Sequence, residues 1–75
     1  MKITEEEFFD VMKTYYTGRM YMSKKELAEL LKTYDISDIP DFIEEVQSYY
    51  EGRMYLSKTE LIDLGAKHNF NIAGI

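Results

Sequence analysis

The chain contains no cysteine and no tryptophan, and it has one proline and one histidine in 75 residues. Without cysteine, disulfide bridges, thiolate metal sites and a cysteine nucleophile are excluded. No run of 18 apolar residues is present, and residues 1–7 lack the apolar stretch of a signal peptide. The sequence therefore predicts a soluble, cytoplasmic protein that is stabilised by side-chain packing alone.

Positive charge is also scarce, since 9 basic residues stand against 14 acidic ones and give a net charge of −5. This balance disfavours a protein that coats nucleic acid by bulk electrostatics. Acidic residues crowd the first helix start and the centre of the chain. The cations concentrate elsewhere, in or just after two similar loops: Arg19, Lys24, Lys25, Arg53 and Lys58.

An internal repeat is the most informative feature that is present. Residues 15–27 return 34 positions later as residues 49–61, with ten of thirteen positions identical. Such self-similarity indicates one supersecondary unit built twice. We expect a single domain over 1–75, with repeat 1 at 3–36, repeat 2 at 37–70, a tail at 71–75, and a pseudo-twofold axis between the repeats.

Capping signals predict four helices, at 5–16, 24–34, 39–50 and 58–67. Three of the starts pair a hydroxyl N-cap with a glutamate three residues later, at Thr4, Ser23 and Ser57. The remaining start is less regular, with Asp38 as the expected cap and Pro40 in the first turn. Glycines 18 and 52 follow the first and third helices, where a left-handed residue ends a helix. The predicted fold is all-α, as two tandem helix-loop-helix units.

The repeated unit resembles an EF-hand pair. In both copies an apolar residue precedes serine, and Glu-Leu follows two residues later, as in Met22-Ser23-Lys24-Lys25-Glu26-Leu27 and Leu56-Ser57-Lys58-Thr59-Glu60-Leu61. The resemblance implies that Tyr21-Met22 pairs with Tyr55-Leu56 across the pseudo-twofold axis, forming at most a short β-bridge between the loops.

Calcium ligands are missing from this pattern. The ion takes several oxygen ligands, chiefly carboxylates at the first, third and fifth loop positions and a glutamate at the twelfth. Counting back from Glu26, those early positions hold Tyr15, Thr17 and Arg19, and the second loop has Arg53 at the fifth position. We therefore expect no calcium, no other metal and no cofactor, and interpret the glutamates as capping residues.

Aromatic doublets point to protein binding. Neighbouring residues on a helix diverge by about 100 degrees, so the two members of Tyr15-Tyr16 or of Tyr49-Tyr50 cannot both face inward. We predict that one tyrosine of each pair is core and that the other contacts a partner or a second copy in a homodimer. The candidate protein-binding residues are Phe9, Tyr16, Met20, Ile43, Tyr50 and Met54.

An alternative function uses the basic loops. Arg19, Lys24, Lys25, Arg53 and Lys58, beside several tyrosines, could bind phosphates or stack on single-stranded bases. The structural interpretation is that each arginine caps the carbonyl end of the preceding helix, or pairs with Glu51 or with acids of the other repeat. Because both repeats carry Arg-Met-Tyr, the structural interpretation is favoured.

Nothing in the sequence marks a catalytic centre. Ser23 and Ser57 are caps without a positioned base, and His68 aligns with Tyr34 at a helix end rather than with a ligand set. The predicted function is therefore that of a non-enzymatic regulator or inhibitor, small and acidic, of the kind that phages and mobile elements direct at host proteins. Nucleic-acid or anion binding through the loop end stays the alternative.

Overall fold

The computed structural model describes residues 2–36 and 41–75. Its elements, in chain order, are β1 (Lys2–Ile3), α1 (Glu5–Lys13), a 3-10 turn (Thr14–Tyr16), β2 (Tyr21–Ser23), α2 (Lys24–Thr33), β3 (Asp35–Ile36), α3 (Asp41–Ser48), β4 (Tyr55–Ser57) and α4 (Lys58–Lys67).

The all-α prediction is wrong, because residues 2–36 and 41–75 contain four short strands that form two two-stranded sheets. In one sheet β1 runs parallel to β3, with Lys2 opposite Asp35 and Ile3 opposite Ile36. Strands of two residues are too short to show the alternating pattern by which a strand is recognised. Their pairing joins segments more than 30 residues apart, so only the folded chain reveals it.

The second sheet joins the two repeated loops. β2 and β4 are antiparallel, with Met22 opposite Leu56 at the centre, which confirms the predicted pairing. The ladder continues beyond the strands, since the Lys24 amide donates to the Met54 carbonyl and the Lys58 amide to the Met20 carbonyl, both at 2.9 Å. These equivalent bonds place the two loops side by side.

Three helix starts are built as the sequence predicts. Thr4, Ser23 and Ser57 each accept a bond from the amide of the glutamate three residues on, at 3.1 to 3.2 Å, and that glutamate bonds back to the cap amide. The predicted cap at Asp38 and the adjoining Pro40 lie outside the described residues. At the start of α3, the Phe42 amide donates to the Glu5 carboxylate at 3.1 Å.

Helix ends differ more from prediction. α2 ends at Thr33 and α3 at Ser48, whereas α4 occupies the predicted 58–67. Gly18 and Gly52 have φ angles of +79° and +91°, which confirms the left-handed turns after the first and third helices. None of the helices within 2–36 and 41–75 has the length and apolar character needed to cross a membrane.

The core is centred on aromatic rings contributed by α1, α3 and the C-terminal residues. Phe8, Phe9 and Phe42 are completely buried. The Phe9 ring centroid lies 5.8 Å from that of Phe42 and 5.3 Å from that of Phe70, whose ring also packs 5.4 Å from Phe42. Edge-to-face and tilted contacts at these distances are the preferred aromatic arrangement. Phe70 thereby docks the end of the chain on the core.

At Gly65, α4 comes close to this cluster. A Cβ atom added there would lie 2.4 Å from Phe9 Cζ and 2.9 Å from Ile72 Cγ2. On α1, Lys13 Nζ donates a hydrogen bond to the Asn71 carbonyl at 2.8 Å. The tail segment 70–72 therefore packs against both α1 and α4.

Candidate interaction surface at the paired loops

Arg19 follows the first repeated turn and is held by its own repeat. Its guanidinium donates to Glu26 at 2.5 Å, the same carboxylate that completes the capping box of α2. The guanidinium also lies 5.7 Å from the Tyr15 ring centroid and 5.8 Å from that of Tyr21. Arg19 thus links the turn after α1, the strand β2 and the start of α2.

Arg53 repeats this geometry in the second loop. Its guanidinium pairs with Glu60 and lies 5.4 Å from the Tyr49 ring centroid and 4.7 Å from that of Tyr55. Its Nε also donates to the Tyr49 carbonyl at 3.0 Å. The predicted capping of the preceding helix is therefore confirmed for Arg53. The predicted acids were wrong, because each arginine pairs with the capping glutamate of its own repeat.

These contacts fix the charge states of the loops. The hydrogen bond from Arg19 lowers the pKa of Glu26 below its ordinary value, and Ser23 adds to this effect. Burial alone would raise the pKa of Glu60, but the bonds from Arg53 and Ser57 outweigh it and lower that pKa as well. Both guanidiniums are therefore protonated and paired within their own repeat.

The lysines of the anion-binding alternative are placed differently. Lys24 and Lys25 are exposed and Lys58 is half-buried. The salt bridges among the described residues involve none of the three. The structure therefore brings the five predicted cations to one end of the molecule, but commits its two arginines to structural contacts.

A matched pair of buried hydroxyl bonds crosses between the repeats. Tyr16 Oη donates to the Leu56 carbonyl at 2.7 Å, and Tyr50 Oη donates to the Met22 carbonyl at 2.9 Å. Burial raises the pKa of both phenols, to about 12 for Tyr50. Each repeat therefore anchors the strand of the other through one tyrosine.

This arrangement corrects four of the six predicted contact residues. Phe9 is completely buried, and Tyr16, Ile43 and Tyr50 retain 2%, 8% and 6% of their exposure, so none of the four offers a surface to a partner. For Tyr16 the physical reason is the tight turn after α1. A 3-10 turn advances about 120 degrees per residue, which brings the second tyrosine of the pair inward, and Tyr50 occupies the equivalent place in the second repeat.

The half-buried members of those pairs are Tyr15 and Tyr49, so the inward and outward tyrosines are the reverse of those predicted in both repeats. Phe9 and Ile43 are buried for a different reason. The helices α1 and α3 pack against each other, as the Phe9–Phe42 contact shows, and the tail covers α1 on a further side. A prediction that assigns one buried face to each helix cannot anticipate that a helix is covered on two sides.

The remaining two candidates, Met20 and Met54, are exposed by 63% and 66%. Two tyrosines outside the predicted set join them, Tyr21 at 55% and Tyr55 at 44%. We call these four residues the Met–Tyr surface. Because side chains alternate along a strand, Tyr21 and Tyr55 point away from the buried Met22 and Leu56. Recognition of the strands would have identified them.

The two tyrosines of the Met–Tyr surface lie close together on the ribbon. Tyr21 lies opposite Ser57, two residues beyond Tyr55, so the two tyrosines are diagonal neighbours on one face of the ribbon. Such neighbours are about 7–8 Å apart. Met20 and Met54 come immediately before the two strands, and their carbonyls extend the ladder by accepting from the Lys58 and Lys24 amides. Two copies of one sequence motif thereby expose four large side chains on the paired loops.

Within the described residues no three histidine, aspartate or glutamate side chains cluster as a metal site requires. Glu45 is instead held by α4, through Lys67 at 3.0 Å and His68 at 3.1 Å, and the Lys67 bond lowers its pKa. His68 lies at the end of α4 as predicted. The resemblance to an EF-hand pair stays a prediction. Comparisons with protein-family models, curated proteins and solved structures give no match.

Proposed function

We propose that this chain is a non-enzymatic binding module that contacts a partner protein through the Met–Tyr surface. The observation that carries the proposal is the exposure of four large side chains on one ribbon, with Met54 reaching 66%. Packing of the described core does not need them. Methionine and tyrosine are enriched at protein interfaces, because methionine offers a flexible apolar side chain and tyrosine a large rigid ring.

Both tyrosines of the Met–Tyr surface, Tyr21 and Tyr55, are in contact with an arginine. Arg19 lies beside Tyr21 and Arg53 beside Tyr55, and each arginine is fixed by a capping glutamate. A ring that is already ordered loses little conformational entropy when a partner covers it. Tyrosine and arginine at the centre of a contact are also the residues that most often dominate binding energy.

In this proposal the chain acts as a small cytoplasmic regulator or inhibitor, and its partner covers the paired loops. The net charge of −5 favours a partner whose surface around the contact is basic. A homodimer through the same surface is one form of the proposal. We do not propose anion binding, because Arg19 and Arg53 are already engaged by Glu26 and Glu60.

Site-specific photocrosslinking in the native host tests the proposal. A benzophenone side chain placed at Tyr55 should give a discrete adduct, and the same group at Glu6, which is exposed on α1, should not. The Tyr21→Ala substitution should weaken the Tyr55 adduct, and a homodimer would appear at twice the chain mass. Equal adducts from both positions, or none from Tyr55, would refute the assignment.

A further inference from the structure

The methionines of this chain fall into two classes of accessibility. Of the four that the structure describes, Met12 and Met22 are completely buried, whereas Met20 and Met54 are exposed by 63% and 66%. The exposed pair occupies equivalent positions, since residue 54 follows residue 20 by the 34 positions of the repeat. The two loops therefore present the same thioether twice, immediately before β2 and before β4.

The repeat also shows that packing does not require methionine at the exposed positions. Under the same shift, the buried Met12 and Met22 correspond to Val46 and Leu56, which are equally buried. A core position thus accepts different apolar side chains of suitable size. The exposed position has methionine in both copies, although neither of these side chains belongs to the core. The chemistry of the sulfur atom is what distinguishes methionine from leucine at such a position.

Thioether sulfur is the side-chain atom of this chain that a hydroperoxide oxidises most readily, because cysteine and tryptophan are absent. The sulfur attacks the outer peroxide oxygen, so that an S–O bond forms as the O–O bond breaks. Sulfur loses two electrons and becomes a sulfoxide, and hydrogen peroxide is reduced to water. A dithiol reverses the reaction by removing the oxygen as water while its two sulfurs form a disulfide.

Oxidation at these two positions would leave the fold intact. Met20 and Met54 contribute their main chain to the ladder, because their carbonyls accept from the Lys58 and Lys24 amides at 2.9 Å. Their side chains lie in solvent. A sulfoxide in the core would disrupt packing, whereas a sulfoxide here changes only the polarity of the Met–Tyr surface.

We propose that Met20 and Met54 are paired sites of reversible oxidation by a hydroperoxide, and that their sulfoxides release the partner from the Met–Tyr surface. Partner release rests on the contact proposed above, whereas oxidation of the two sulfurs does not. A sulfoxide oxygen accepts hydrogen bonds from water, and an apolar partner group that covers it must displace that water. Each sulfoxide should weaken binding roughly ten-fold, and the doubly oxidised chain should bind about a hundred-fold less tightly.

Hydrogen peroxide added to the purified full chain tests the oxidation without a partner. Peptide mass spectrometry should show one added oxygen atom at Met20 and at Met54, on the order of ten-fold faster than at Met12 and Met22, because a buried thioether reacts only when the fold opens. The oxidised chain should keep its circular dichroism spectrum and elute earlier from a hydrophobic-interaction column. Two sulfoxide reductases, one for each sulfoxide epimer, should restore the original elution. Equal rates at the four methionines, or unchanged elution, would overturn the proposal.

Photocrosslinking in host extract tests partner release. The chain that carries benzophenone at Tyr55 is oxidised, freed of peroxide and added to the extract, where it should lose most of its adduct. Each variant is compared with itself before and after peroxide. The double variant Met20→Leu with Met54→Leu should give the same adduct in both states, whereas Met12→Leu, at a buried position, should lose its adduct as the parent chain does.

The outcomes separate the two proposals. An adduct that survives oxidation of the parent chain, or that is lost equally in the double leucine variant, would refute regulation through Met20 and Met54. An adduct absent even from the unoxidised parent chain would instead refute the contact itself, and partner release would fall with it.

Discussion

Replacement of Gly65 by alanine tests how closely α4 approaches the aromatic core. In an unconstrained helix interior this change would stabilise the fold by about 1 kcal/mol, because glycine is the poorer helix former. Here the new methyl carbon would lie 2.4 Å and 2.8 Å from two atoms of the Phe9 ring and 2.9 Å from Ile72. The ring is held by Phe42 and Phe70, so it cannot move away cheaply.

Overpacking of a filled core costs about 1–3 kcal/mol, and three contacts below 3 Å place this site in the upper part of that range. After the gain in helix propensity, Gly65→Ala should lower the free energy of unfolding by about 1–2 kcal/mol. For a domain of this size the melting temperature should fall by roughly 4–16 °C, measurable by circular dichroism at 222 nm.

Two variants separate the close contact at Gly65 from helix propensity. Ala66 is exposed on the same helix, so Ala66→Gly reports the propensity difference alone and should destabilise by about 1 kcal/mol. Phe9→Leu replaces the ring by a smaller side chain, so the double variant with Gly65→Ala should lose less stability than the sum of the two single variants. A higher melting temperature for Gly65→Ala would refute the close approach of α4, α1 and the tail.

Three further outcomes follow from the loop contacts. Tyr16→Phe should destabilise by about 0.5–1.5 kcal/mol in urea unfolding because the buried hydrogen bond from its hydroxyl to the Leu56 carbonyl is lost. Tyr21→Phe, at an exposed ring, should have no effect, and equal losses would contradict the role of the Tyr16 hydroxyl. Burial raises the pKa of the Tyr16 and Tyr50 phenols, to about 12 for Tyr50, so as pH rises both ionise in the unfolded chain before they ionise in the folded one. The free energy of unfolding should therefore fall above pH 10, by at most about 1.4 kcal/mol per pH unit for each tyrosine. A free energy of unfolding that stays constant between about pH 10 and 12 would contradict the burial of these phenols. The pKa values of Glu26 and Glu60 are lowered in the folded chain, so their contribution to stability is present above their unfolded pKa and should be lost as pH falls through their folded pKa values. Replacing both with glutamine keeps the capping geometry, so the stability of that variant should depend less on pH between about pH 5 and 3.

Contact residues were harder to predict from sequence than caps. The hydroxyl caps at Thr4, Ser23 and Ser57 satisfy donors within three residues, so local sequence suffices to place them. Whether Tyr16 or Tyr15 faces inward depends instead on a 3-10 turn and on a carbonyl 40 residues away. Burial is a property of everything that surrounds a side chain, and a helical wheel contains only one helix.

The sequence alone determined the duplicated unit, the capping boxes and the left-handed glycines, because each is local or visible as a repeat. The pairing of Met22 with Leu56 was predicted only through the resemblance to an EF-hand pair. The tertiary structure decided which aromatic residues are exposed, that two short strands pair at β1 and β3, and that the tail packs against α1 and α4. These features depend on contacts between segments distant in the chain. No local propensity encodes such contacts, and packing alone selects among them.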